Sequence, residues 1–175
     1  MATLMQAIAT FSRLAVEMPM AEHAALEAAC QIVEDEAKHA IGTYNYNWPQ
    51  LAPSTQADRV QQGFPANEPL LRTGEMRDSI EHQVQGHVGY VGSDNMKAVY
   101  QELGTVHIPP RSFLMGAAMR SEHEIHELTG RYFHAYLASG LGLPYSHFSG
   151  QAVGRVGSAP PLDAAFGRLT GRIRP

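Results

Sequence analysis

The hydrophobic period of this chain changes twice along its length, and this change limits the fold to helices combined with a small antiparallel sheet. Residues 4–18, 26–41 and 114–132 place apolar side chains three or four positions apart, as on one face of an α-helix. Residues 79–92 instead alternate apolar with polar side chains, which predicts two strands joined by a turn at residues 85–86. The sequence therefore predicts an α+β fold, in which long N-terminal and C-terminal helices pack on a small antiparallel sheet.

Prolines and glycines predict where these elements end. Pro19 predicts a break between two N-terminal helices, because a proline removes one helical hydrogen bond, and Gly42 predicts the end of the second helix. Residues 43–71 contain several prolines and no sustained period, so they are predicted to form a long ordered loop. Residues 106–110 predict a third short strand that ends at Pro109.

The length and composition of the chain predict one compact domain in residues 1–140, followed by an extension. The chain has 175 residues, of which 44% are hydrophobic and 17% charged, and these values fit a globular domain with its own core. Residues 141–175 are rich in Gly, Pro and Arg and are predicted to form a C-terminal arm. Four arginines of this arm are candidate contacts to a neighbouring subunit or to DNA: Arg155, Arg168, Arg172 and Arg174.

The sequence lacks the patterns of a secretory signal and of a membrane-spanning helix. Polar side chains interrupt the N-terminal residues, and no run approaches the ~18 apolar residues needed to span a bilayer. Cys30 is the single cysteine and lies within a helical pattern, so it is interpreted as a buried, unreactive thiol. The expected place of synthesis is therefore a reducing cytoplasm, and no membrane partner is expected.

The strongest candidate for chemistry is a cluster in the last predicted helix. His123, His126 and Glu127 lie at positions i, i+3 and i+4, but they do not form the HExxH arrangement and have no evident fourth ligand. A solvated helix face explains the same residues, and a metal-dependent hydrolase that uses them stays open as an alternative. The acidic run at residues 34–36 is also interpreted as a solvated face. Without a nucleophile elbow or a phosphate loop, the chain is predicted to be no enzyme and to use no metal or cofactor.

Two glycine- and proline-containing motifs predict turns and the start of a helix. In "LLRTGEMRDSI", Gly74 permits a turn conformation that other residues rarely adopt, and the Thr73 hydroxyl is predicted to cap the turn. In "AVYQELGTVHIPPRSFL", Gly104 permits the chain to reverse after a short helix. The two prolines that follow predict a stiff lead into the last helix, with Arg111 free to contact a partner.

The order of "LLRTGEMRDSI", "VGYVGS", "AVYQELGT" and "IPPRSFL" resembles the tail-component family of lambdoid and related tailed phages. Its members are called tail-completion, neck or virion-morphogenesis proteins, and the resemblance covers roughly residues 40–120. It implies a non-enzymatic virion subunit, made in the cytoplasm of the bacterial host, that forms a homomeric ring, most often a hexamer. The ring would join or cap the tail tube and contact head-connector or neck proteins, with DNA passing through without sequence-specific binding.

The resemblance also implies a set of site residues, for which both a fold role and an interface role are open. The family's signature turns and the start of its last helix correspond to Arg72, Thr73, Gly74, Gln101, Glu102, Gly104, Thr105, Pro109, Pro110, Arg111 and Phe113. A further alternative is a packaging accessory that contacts DNA through the four arginines of the C-terminal arm.

Overall fold

Seven elements of secondary structure follow one another in the computed structural model, which describes residues 4–141 and the side chains of residues 4–138. They are α1 (Leu4–Ala40), α2 (Pro53–Gln61), α3 (Glu75–Asp78), β1 (Ile80–Gln85), β2 (Val88–Ser93), α4 (Met96–Leu103) and α5 (Leu114–Leu141). The predicted α+β class, with a long helix before and after a small antiparallel sheet, is confirmed. Residues 142–175 of the predicted arm, including its four arginines, lie outside the described residues.

The chain divides into two compact units. One unit is Ala25–Arg131, which holds the main core, the sheet and the motifs described above. The other consists of the described parts of Met1–Ala24 and Tyr132–Pro175. Within this second unit, the Tyr136 hydroxyl donates a hydrogen bond to the carbonyl of Leu14. None of the helices in the described residues is long and apolar enough to span a lipid bilayer.

The two predicted N-terminal helices form one continuous helix, α1, so the predicted break at Pro19 is wrong. A proline inside a helix destabilises the helix by about 3 kcal/mol, because it has no N–H to donate and its ring clashes with the carbonyl four residues earlier. Pro19 lies on the exposed side of α1, where water can hydrate the carbonyl that lost its partner. Alanines at positions 21, 24 and 25 favour the helix on the C-terminal side of the proline.

The end of α1 and the segment that follows are held by backbone contacts. The helix ends at Ala40, as predicted, and the Gly42 N–H donates to the carbonyl of Pro69 at 2.8 Å. The segment of residues 43–71 therefore leaves the C-terminal end of α1 and returns to that end near Pro69. The prediction that this segment contains only loop is wrong, since α2 forms within it and begins with Pro53, which is tolerated in the first turn.

The predicted hairpin forms, but its turn lies one residue later than predicted. Strands β1 and β2 are antiparallel, with Ile80 opposite Ser93 and Gln85 opposite Val88, so the turn lies at residues 86–87. Gly89 faces α1 so closely that a Cβ atom there would lie 2.2 Å from the Cys30 Sγ. A side chain at this position would force either the Cys30 side chain or the strand to shift.

The third predicted strand, at residues 106–110, does not form. The Thr105 N–H donates to the carbonyl of Ile108 at 2.9 Å, and the Thr105 hydroxyl oxygen accepts hydrogen bonds from the N–H groups of His107 and Ile108. These contacts close a tight turn, which uses the backbone groups that a strand would offer to its neighbour. The sheet of the described residues has two strands.

The core of the Ala25–Arg131 unit draws on nearly every element around it. Phe113 and Ile80 are its largest fully buried core side chains, and Met76 is buried as well. Ala37 and Ala117, on α1 and α5, are fully buried and allow close packing. Trp48 and the leucines at 70 and 71 cover this core from the 43–71 segment.

Candidate functional site

The first signature turn packs into the fold, although its cap differs from the prediction. Helix α3 begins at Glu75 with Gly74 in the N-cap position, and no side chain caps it. The predicted cap by Thr73 is wrong, because Thr73 lies one residue before the capping position. Gly74 is buried and Thr73 is exposed.

The second signature turn has no room for a larger residue. Gly104 ends α4 with φ +76°, and a Cβ atom there would lie 3.0 Å from the carbonyl oxygen of Ile108 and from the Pro110 ring. A positive φ disfavours side chains in general, and the close contact adds a steric penalty. The predicted chain reversal at Gly104 is confirmed.

Glu102 is the cap of α5, a role that sequence reasoning left open. Its carboxylate accepts hydrogen bonds from the backbone N–H groups of Phe113, Leu114 and Met115 at 2.8, 2.9 and 3.0 Å, and from the Ser112 hydroxyl at 2.5 Å. The first N–H groups of a helix have no partner within the helix, and a negative charge is favourable beside them. Glu102 on α4 therefore fixes the start of α5.

Arg111 is held inside the protein, so the prediction that it is free to contact a partner does not hold. It is 7% exposed, its Nη2 donates to the carbonyl of Pro49 at 3.2 Å, and its backbone N–H donates to the carbonyl of Gln101 at 2.7 Å. Its Nε is buried and has no hydrogen-bond acceptor among the described residues.

A second buried arginine, Arg59, was not predicted. It lies on α2, is 7% exposed, and its Nη1 donates to the carbonyls of Leu71 and Glu68 at 2.7 and 2.8 Å, with a longer contact to Pro65. Burial, followed by the nearby positive charge of Arg72, lowers the pKa of Arg59. Its position in a polar helix gave no signal of burial, because the carbonyls that it binds come from a separate segment.

The two signature turns meet at a cavity of about 320 Å³ in the Ala25–Arg131 unit. Its lining comes from α2, α3, α4 and the chain between α2 and α3, and consists of Thr55, Arg59, Leu70, Arg72, Thr73, Gly74, Met76, Lys97 and Gln101. Three of these side chains are cationic and none is a carboxylate. Four of the eleven predicted site residues, Arg72, Thr73, Gly74 and Gln101, thus share one site, while Glu102, Arg111 and Phe113 form the adjoining start of α5.

A second polar group lies between α1 and the hairpin. His82 Nδ1 is hydrogen-bonded to Glu34, and its Nε2 lies 3.0 Å from Glu27. The Lys38 ammonium donates to Glu34 at 2.5 Å, in an i,i+4 ion pair on α1. Glu34 is only 8% exposed, so its interpretation as part of a solvated face is wrong: the hairpin covers it.

The charges of this group shift each other's pKa values. Burial favours the neutral form of Glu34, but hydrogen bonds from Lys38 and His82 outweigh it and lower the pKa of Glu34. The hydrogen bond to Glu34 raises the pKa of His82, against the effect of burial, and Glu27 adds to the rise. Protonated His82 is therefore favoured in the fold.

In the described residues, no three His, Cys, Asp or Glu side chains are arranged to hold a metal ion.

The candidate metal cluster on α5 separates into two exposed pairs. His123 lies 3.3 Å from Glu127, while His126 lies 3.8 Å from Glu122 on the same helix. The side chain of His123 is 88% exposed. The two histidines thus have different carboxylate neighbours, and the geometry does not bring them together on one ion.

The aromatic segment that precedes α2 packs on α5. The Tyr46 ring contacts Trp48 edge to face at 5.3 Å, and the Arg120 guanidinium lies 5.3 Å from the Tyr46 ring centre. A Cβ atom on Gly116 would lie 2.7 Å from the same ring. The Tyr46 hydroxyl donates to Glu36 at 3.0 Å. Burial, together with this hydrogen bond, raises the pKa of Tyr46.

Comparison with known proteins assigns no family to this arrangement. No protein-family model, no curated protein and no solved structure matches the chain.

Proposed function

We propose that this chain is a non-enzymatic structural subunit of a tailed-phage virion, which assembles with copies of itself into a ring, most often a hexamer. The ring would act as a tail terminator, tail-completion protein or neck protein that joins or caps the tail tube. The order of the four sequence motifs motivates this proposal.

The observation that carries the proposal is an apolar surface on the outer side of α4. This α4 face consists of Met96, Val99, Tyr100 and Leu103 on the helix, and of Val106 in the turn after it. Leu103 is 75% exposed and Val106 is 97% exposed. The opposite side of α4 is already used, since Ala98 is buried and Glu102 caps α5. Exposed apolar patches of this kind, on a protein with its own core, favour association.

A ring needs two different surfaces on each subunit, because each contact is head-to-tail and must close by rotation. The outer side of the hairpin offers a second apolar surface, with Val88 and Tyr90 exposed on β2. We infer that the α4 face of one subunit contacts the outer side of the hairpin of the next subunit.

The test is the mass and symmetry of the purified protein, by light scattering and negative-stain microscopy. The wild-type chain is expected to form a closed particle with a central hole, and Leu103→Asp is expected to reduce it to smaller species while the helix content stays the same. Val60→Asp is the matched control, because Val60 is 60% exposed but lies on α2, outside the α4 face. A wild-type monomer at all concentrations, or equal effects of both substitutions, would contradict the proposal.

A further inference from the structure

Three cationic side chains line the cavity at the signature turns, and two of them are paired with carboxylates that lie outside its lining. Arg72 donates to Asp58 at 3.2 Å, and Lys97 donates to Glu75 at 3.0 Å, but both ion pairs are exposed to solvent. Exposed pairs of this type contribute little and are easily exchanged. Neither Asp58 nor Glu75 lines the cavity, so an anion that enters it meets no carboxylate on its walls.

Arg59 provides this cavity with a buried positive charge. The arginine is more than nine-tenths buried, and all its protein hydrogen bonds use Nη1. Arg59 also lines the cavity. A buried cation that contacts only backbone carbonyls is costly, and an anion bound against it would reduce that cost. Arg111 adds a second buried positive charge nearby.

The remaining walls indicate which anion fits. Thr55, Thr73 and Gln101 carry hydroxyl and amide groups that can hydrogen-bond to carboxylate oxygens, while Leu70 and Met76 offer apolar surface. The planar guanidinium groups of the two arginines match the two oxygens of a carboxylate. A volume of about 320 Å³ accommodates a side chain rather than a large cofactor.

We propose that this cavity binds a carboxylate carried on a short aliphatic stem, such as an acidic side chain of a protein partner or a small organic acid. The carboxylate contacts Arg59, Arg72 and Lys97, and the stem contacts Leu70 and Met76. This inference goes beyond the ring and does not depend on it, because Lys97 and Gln101 belong to the side of α4 opposite the α4 face.

The test is a titration of the isotope-labelled full chain, followed by transverse-relaxation-optimised NMR. The probes are blocked glutamate (N-acetyl-glutamate methylamide), its neutral counterpart blocked glutamine, glutarate and inorganic phosphate. Blocked glutamate is expected to give saturable shifts at Thr73, Gly74 and Gln101, whereas blocked glutamine is not. Glutarate that binds more tightly than blocked glutamate would identify a small acid as the ligand, and the reverse order would identify an acidic side chain.

Two variants make the test specific. Lys97→Gln is expected to weaken binding of blocked glutamate by about tenfold, as the loss of one charge-assisted hydrogen bond predicts. Arg13→Gln is the matched control, because Arg13 also forms an exposed ion pair, with Glu17, but lies outside the cavity. The proposal is overturned if no carboxylate gives saturable shifts, if phosphate binds more tightly than both carboxylates, or if the two variants bind equally well.

Discussion

Two contacts in the Ala25–Arg131 unit each depend on one carboxylate, and they differ in what that carboxylate binds. At the α4–α5 junction, Glu102 accepts three backbone N–H groups and one hydroxyl, none of which changes its charge near neutral pH. Between α1 and the hairpin, Glu34 binds His82 and Lys38, which both ionise. The first contact is therefore expected to be independent of pH near neutrality, whereas the second is a source of pH-dependent stability.

The largest expected effect concerns Glu102. Glu102→Ala is expected to lower the free energy of unfolding by about 3 kcal/mol, because the start of α5 loses its acceptor and the Ser112 hydroxyl loses its partner. Urea denaturation at neutral pH measures the change. Glu102→Gln is expected to cost about half as much, because the amide keeps one carbonyl oxygen. Glu75→Ala, at an exposed ion pair, is the control, and an equal loss in Glu102→Ala and Glu75→Ala would contradict the capping role.

The α1–hairpin contact can be tested sterically at Gly89. Gly89→Ala is expected to destabilise the fold by about 2 kcal/mol, because the added methyl group overlaps the Cys30 Sγ and forces either that side chain or the strand to shift. Combining it with Cys30→Ala removes the obstructing sulfur and is expected to recover a large part of that loss. A double-mutant cycle from chemical denaturation measures the coupling. If the effects of Gly89→Ala and Cys30→Ala are purely additive, the added methyl group does not clash with the Cys30 side chain.

The pH dependence separates the two contacts most directly. The pKa of His82 is raised above 6.5, so its protonated form stabilises the fold fully below that value, and this stabilisation is lost as pH rises through the folded-state pKa. His82→Gln is therefore expected to cost about 1–2 kcal/mol near pH 6 and less near pH 8.5. Unfolding free energies across this range measure the difference. A loss for His82→Gln that stays constant over the same range would contradict the ionic contact.

The smallest effect is expected at Lys38, whose side chain is about one-third exposed. Lys38→Met keeps the aliphatic stem and removes the ammonium group, at an expected cost of about 0.5–1 kcal/mol near neutral pH. The lowered pKa of Glu34 stabilises the fold above its unfolded-state value, and that contribution is lost as pH falls through the folded-state value. Without Lys38, acid unfolding should begin at a higher pH. An unchanged acid midpoint would show that His82 alone holds Glu34 charged.

The sequence predicted the elements whose signals are local and strong. The hairpin at residues 80–93, the end of α1 near Gly42 and the reversal at Gly104 follow from alternation and from glycine placement. Two predictions failed: the helix break at Pro19 and the strand at residues 106–110. At Pro19, water can hydrate the carbonyl that lost its partner. At residues 106–110, the Thr105 turn binds the backbone groups that a strand would use.

The sequence by itself determined the α+β class, the main helices and hairpin of the described residues, and the motifs that form the turns. Only the tertiary structure decided that Arg59 is buried, that Glu34 pairs with a histidine 48 residues away, and that Glu102 caps α5. The physical reason is that helix and strand periods are set by neighbours within one or two turns. The environment of a polar side chain, in contrast, depends on which carbonyls, N–H groups and charges distant segments bring to it.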